Sequence, residues 1–158
     1  MAHTVVGAFQ DVSRAREAVR QLEAKGFNDR EVSLIGPDDR KQGHGHDMTH
    51  QDSATDGAAW GAGIGGAAGL LAAVGAVAIP GIGPLIAAGP LAAALTGATA
   101  GGLTGAFIDL GIPSSSSKRY EDELKRGHAV VVVQAGDAQL QSARNVMEAQ
   151  GAHDIEVD

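Results

Sequence analysis

Three histidines crowd one polar stretch: His44, His46 and His50, with Asp47 and Met48 between them. Imidazole, carboxylate and thioether are donors that suit transition metals. The spacing is loose, however, and Gly43 and Gly45 leave the donors unorganised. A solvated linker is the stronger reading, so His44, His46 and His50 stay weak candidates and no metal or other cofactor is assigned. His3, His128 and His153 stand alone in the chain, as surface or strand-end histidines do. Glu121, Asp122 and Glu123 read most simply as a solvated helix face. Gly61-Ala62-Gly63-Ile64-Gly65-Gly66 imitates a phosphate-binding loop. It follows no strand signal, and the acidic residue expected about 20 positions on is missing. No Ser-His-Asp set or carboxylate pair stands out, so the expectation is a protein that is not an enzyme.

The elements that must position these groups fall into a repeated pattern. Thr4-Val5-Val6-Gly7-Ala8-Phe9 reads as a strand. Asp11 or Ser13 can cap the helix that follows; Ala15, Ala18, Val19 and Leu22 form its apolar face, and Gly26 closes it. Val32 to Ile35 is a second strand, stopped by Gly36-Pro37. The end of the chain repeats the unit. Ala129 to Val133 is a strand, Asp137 can cap a helix with Leu140, Ala143 and Met147 on its apolar face, Gly151 closes it, and Ile155 to Val157 is the last strand. At an offset of 125 residues, Ala18, Glu23, Ala24, Gly26, Asp29, Glu31 and Val32 meet Ala143, Glu148, Ala149, Gly151, Asp154, Glu156 and Val157. Two βαβ units merging into one four-stranded antiparallel sheet, with both helices on one face, is the ferredoxin-like plan. The fold expected is therefore α+β.

The halves, residues 1–37 and 128–158, are separated by an unusual middle. Residues 38–56 form the polar His/Gly linker. Residues 57–110 are expected to form an antiparallel Gly/Ala-rich helical hairpin: one helix over Gly57–Ile79, a turn at Pro80-Gly81-Ile82-Gly83-Pro84, and a second over Leu85–Ile108 that Pro90 starts or kinks. No charged residue occurs from Gly57 to Ile108. Gly57, Gly61, Gly65 and Gly69 keep a four-residue step, as do Gly89, Ala93, Gly97, Gly101 and Gly105. Such a step lines one helix face, and a small-residue stripe lets a second backbone come close. Residues 111–127 predict an amphipathic helix with Tyr120 and Leu124 one turn apart, capped within Ser114–Ser117 and ended by Gly127.

Several of these residues carry a family likeness. Val5-Val6-Gly7-Ala8-Phe9 through Gly26-Phe27 to Val32-Ser33-Leu34-Ile35 resembles the bacterial general stress protein family, also called heat-induced stress proteins. Ile79-Pro80-Gly81-Ile82-Gly83-Pro84, Ala88-Gly89-Pro90-Leu91 and Gly111-Ile112-Pro113 with Tyr120-Glu121 are similar to the family's companion segment. The resemblance implies a role in stress tolerance and assigns no catalytic residue.

Bulk properties narrow the partners. A net charge of −7 over 158 residues argues against nucleic acid, and the 12 basic residues are scattered. With no cysteine there is no disulfide, zinc ribbon or thiol chemistry. The N-terminus lacks the basic and apolar regions of a secretion signal, so the expected location is the cytoplasm or the cytoplasmic face of the inner membrane. Both apolar segments reach the roughly 20 residues that span a bilayer. Yet Ile64, Leu70, Leu71, Val74, Val77 and Ile79 give insertion of the first only about 2–4 kcal/mol, and Asp52, Asp56 and Asp109 flank the pair where Lys or Arg would be expected. Copies of the same chain, in a soluble particle or filament, are the other way to cover such a surface. One small module has too little area to do it alone, so lipid or a second copy is the expected partner. A metal or small-ligand sensor built on the βαβ repeat is the remaining alternative.

Overall fold

The structure, a computed structural model, describes residues 2–38, 75–79, 82–97 and 102–158. In chain order these form β1 (Ala2–Phe9), α1 (Val12–Ala24), β2 (Val32–Pro37), β3 (Gly75–Ile79), β4 (Gly83–Ala88), α2 (Pro90–Gly97), α3 (Gly102–Asp109), α4 (Ser114–Lys125), β5 (Ala129–Gly136), α5 (Asp137–Ala149) and β6 (His153–Val157). The fold is α+β. The six strands make one sheet in the order β3-β4-β2-β5-β1-β6. Every neighbouring pair is antiparallel. The two strands of each βαβ unit are therefore parallel but never adjacent. β5 lies between β1 and β2, and β1 lies between β5 and β6.

Ala129-Val130-Val131-Val132-Val133 is an unbroken apolar run, the mark of a strand covered on both sides. Its side chains part alternately, as a pleated strand requires. Val131 and Val133 join Val5, Phe9, Val32 and Leu34 under α1 and α5, with Ala15, Ala18, Leu22, Ala143 and Met147 packed down from the helices. Val130 and Val132 join Val6, Ala8 and Ile35 on the opposite face, where Leu91, Leu103, Phe107, Ile112, Tyr120 and Leu124 cover them. The result is three layers: α1 and α5, the sheet, then α2, α3 and α4.

The second cover departs from the helical-hairpin expectation at residues 75–79 and 85–88, while 57–74 of the first expected helix lie outside the described residues and 90–97 and 102–108 of the second are helical. Gly75–Ile79 and Leu85–Ala88 are strands, paired as a β-hairpin across Val77↔Leu85 and Ile79↔Gly83. Their Ala and Leu content favours a helix, but β2 would otherwise leave a bare edge of N–H and C=O groups beside apolar sequence. β4 pairs with it from Leu34↔Ala88 to Pro37↔Leu85. For the same reason Gly36-Pro37 does not stop β2; the ladder runs through both. The chain then bends at Gly89, where φ is +79° and an added methyl would sit 2.1 Å from the Val32 carbonyl oxygen. Ser33 Oγ accepts the Leu91 N–H at 3.1 Å, tying the start of α2 to β2. Pro90 then opens α2, a position where its missing N–H costs nothing. Leu85, Leu91, Leu103, Phe107, Leu110 and Ile112 from the middle bury their side chains on the chain's own sheet, whereas Ile108 stays exposed.

Candidate functional site

The site forms where α4 ends. Tyr120, Glu123 and Leu124 share the buried face of α4. Phe107 meets the Tyr120 ring edge-on at 6.3 Å between centroids. The helix closes with the His128 N–H donating to the Glu123 carbonyl oxygen at 3.0 Å and the Gly127 N–H to Leu124 at 3.0 Å. That wrap needs a residue at positive φ, and Gly127 supplies it at +86°. The turn places the His128 ring over the helix's own Glu123 side chain.

His153 arrives by a similar route. α5 closes with the Ala152 N–H on the Met147 carbonyl oxygen at 3.0 Å, Gly151 taking φ +87°. β6 starts one residue later and pairs His153 with Ala8. Ala129, the residue after His128, pairs with Phe9. The two histidines thus enter at the same end of the sheet, on the two strands flanking β1.

Glu123 joins them. His128 Nδ1 lies 2.6 Å, and His153 Nε2 2.8 Å, from Glu123 Oε2. Arg126 Nη1 donates to the other oxygen, Oε1, at 2.9 Å. The Glu123 side chain is only 5% exposed, against 29% for His128 and 36% for His153. The imidazole rings stand 5.7 Å apart, edge to face. Burial by itself would raise the Glu123 carboxyl. The hydrogen bonds from His128 and His153, with their positive charge, outweigh it and hold the group below the usual carboxylate range.

Two further links fasten α4 to β6 alongside. Arg119 Nη2 meets Glu156 Oε1 at 2.7 Å. The Tyr120 hydroxyl donates to the Asp154 carbonyl oxygen. Asp154 is the one non-glycine residue at positive φ among the described residues, at 50°. Burial first, then the Glu156 carboxylate, push the Tyr120 phenol far above its usual value, so it stays a neutral donor.

Glu123 Oε2, His128 Nδ1 and His153 Nε2 lie within 4.8 Å of one another. One carboxylate and two imidazoles form a donor set for zinc and its neighbours. A second titratable pair, His3 Nε2 and Asp137 Oδ1 at 2.7 Å, closes the far end of β1, and that hydrogen bond lowers the Asp137 carboxyl. On the other side of the sheet, a groove between α1 and α5 is lined by Gln21, Lys25, Ser142, Asn145 and Gln150.

The sequence treated His128 and His153 as isolated and Glu123 as solvated; the fold brings all three together. A signal for Glu123 was present. It sits three residues after Tyr120 and one before Leu124, inside the apolar arc of α4. His128 and His153 each follow a helix-closing glycine, but only the strand order makes them neighbours. Of the small-residue stripe, Gly89 lies in the bend before α2, Ala93 and Gly97 in α2, and Gly105 in α3. These positions therefore do not share one helix face. A methyl at Gly105 would meet open space rather than a neighbouring backbone. Gly57, Gly61, Gly65, Gly69, Gly101, His44, His46 and His50 lie outside the described residues.

Comparison with known proteins returns no match: no family model, no curated protein and no solved structure aligns with this chain.

Proposed function

We propose that this chain is a non-enzymatic protein of the general-stress type, a ferredoxin-like module that works by joining further copies of itself through its uncharged middle. The observation that carries this reading is that, among the described residues, β1, β2 and β5 are already covered on both faces by the chain's own helices. Val5, Leu34, Val131 and Val133 are closed off by α1 and α5, and Ile35, Leu85, Val130 and Val132 by α2, α3 and α4. The remaining uncharged sequence, 57–74, leads into β3, the outermost strand on its side of the sheet. An apolar stretch of that length left in water would aggregate, so an ordered partner is required.

A second copy fits better than a bilayer. Asp52 and Asp56 precede the stretch, and anionic headgroups repel them. In this reading Gly57, Gly61, Gly65 and Gly69 form the close contact between copies. The likeness to general stress proteins supplies the stress role, and the cytoplasm is the proposed location.

Light scattering on full-length protein purified without detergent tests the proposal. A discrete homo-oligomer that Gly61→Leu or Gly65→Leu shrinks is the expected result. A monomer at every concentration would overturn it. Recovery only with vesicles would transfer the role of the stretch to lipid.

A further inference from the structure

We propose that Glu123, His128 and His153 bind a divalent transition metal of the zinc class, held by one carboxylate oxygen and two imidazole nitrogens with water completing the shell. This goes beyond self-association and does not depend on it.

The donors are the right kind and number. Zinc sites that keep an open position use three protein ligands drawn from histidine and carboxylate, with nitrogen and oxygen at about 2.0–2.2 Å from the metal. In a tetrahedral shell of that radius the donors stand about 3.4 Å apart. Here the carboxylate oxygen is 2.6 Å from one imidazole nitrogen and 2.8 Å from the other. All three donor atoms fit within 4.8 Å. The site is thus a closed-up version of a metal shell, and a shift of under about 1 Å per side chain opens it. The near-perpendicular rings, 85° apart, let both nitrogens face one point without stacking.

The mounting is firm where a metal site needs it. Glu123 is fixed by burial and by Arg126, which engages Oε1 and leaves Oε2 turned to the histidines. Such an outer partner sets ligand orientation. His128 is set by the Gly127 turn, and His153 by its pairing to Ala8 and by the Tyr120 contact at the next residue. Both rings are about one-third exposed, so a hydrated ion can approach from solvent. A purely structural hydrogen-bonded carboxylate needs neither two histidines from separate elements nor this access. The cost is the Arg126 charge nearby, which tempers affinity. Its guanidinium reaches the far oxygen from a side chain that is 67% exposed, so water screens it.

Titration of metal-free, full-length protein with zinc, read by competition with a chromophoric chelator, provides the test. Cobalt(II) serves as the spectroscopic probe, with its visible absorption reporting nitrogen coordination. One equivalent should bind, and zinc should raise the melting temperature. His128→Gln and His153→Gln, which keep a hydrogen-bond donor toward Glu123 and whose folding is checked by circular dichroism, should each weaken zinc binding at least 10-fold. They should also abolish the melting shift. The triple change His44→Gln, His46→Gln, His50→Gln should leave both intact. No binding by the parent chain overturns the proposal. So does binding that survives His128→Gln and His153→Gln but vanishes in the triple variant, which places the metal on the linker. Either failure leaves the oligomer size, and so the association reading, untouched.

Discussion

The two βαβ halves share a chain plan but not a fate. β1-α1-β2 and β5-α5-β6 each run strand, helix, glycine turn, strand, and the turns close alike. The Phe27 N–H reaches the Leu22 carbonyl at 3.1 Å and the Ala152 N–H reaches Met147 at 3.0 Å. The last strands then diverge. β2 has β5 on one side and β4 on the other, whereas β6 forms an edge. Val32 and Val157, equivalent at the 125-residue offset, are 0% and 41% exposed. Polar positions diverge as well. Asn28, the counterpart of His153, stays within its own turn: its N–H donates to Glu31 Oε2 and its Oδ1 accepts from Arg30. His153 reaches out of its turn to α4. A duplicated unit thus supplies matching scaffolds, and what the inserted segment packs against each copy decides which becomes a site.

The insertion rests on the first half at Gly89 and on the second through α4, and the largest expected effect tests the first of these. Gly89→Ala should cost about 3 kcal/mol or more, because the methyl would press on the Val32 carbonyl and the backbone sits at positive φ. Gly105→Ala, on open helix surface, should be neutral or gain up to about 1 kcal/mol. Urea unfolding of the pair measures the contrast, and equal losses would restore a packing role for both glycines.

The halves themselves are compared by Val32→Ala and Val157→Ala. The first should lose about 2 kcal/mol and the second under about 0.5 kcal/mol. Similar midpoints would mean that β6 is covered in solution, as an edge joined by another chain would be. A smaller difference lies at the helix starts. Asp11 accepts the Arg14 N–H at 2.8 Å, while the Gly136 cap of α5 has no side-chain bond. Asp11→Ala should therefore lower stability by about 1 kcal/mol, and Gly136→Ala should shift it by less than half of that.

The smallest effect is an acid-side slope. The Thr104 hydroxyl, and then Lys125, hold the Glu121 carboxyl below its usual value against a burial effect that raises it. A carboxyl lowered in the folded state stabilises above its unfolded pKa, and that contribution fades as pH falls through the folded value. Thr104→Val should lower stability at neutral pH by under about 1 kcal/mol, and the difference from the parent chain should vanish as pH falls below about 4.5, flattening the acid limb. An unaltered acid limb in melting curves would show that the α3–α4 contact carries no such linkage.

Much of the scaffold was legible because its signals are local. The apolar run 129–133, the helix face of Ala15, Ala18, Val19 and Leu22, and the closing glycines Gly26, Gly127 and Gly151 all act within a few residues. Residues 75–79 and 85–88 misled because their Ala-, Val- and Leu-rich sequence fits a helix pattern, while the competing force on β4, an open edge on β2, lies some 50 residues away in sequence; the helix reading held over 90–97 and 102–108. The His–Glu cluster was hidden for a related reason. Its members are 30 residues apart at most, yet their meeting depends on β5 and β6 flanking β1.

By itself the sequence determined the duplicated strand–helix–strand units, their order and the charge-free middle, since periodicity, caps and turns are properties of neighbouring residues. Only the tertiary structure decided that the middle supplies a β-hairpin and a second helical layer, that β2 is interior while β6 is an edge, and that Glu123 turns inward to meet two histidines. Those outcomes depend on which surfaces and hydrogen-bonding edges remain unsatisfied once distant parts of the chain have met, and no local pattern records them.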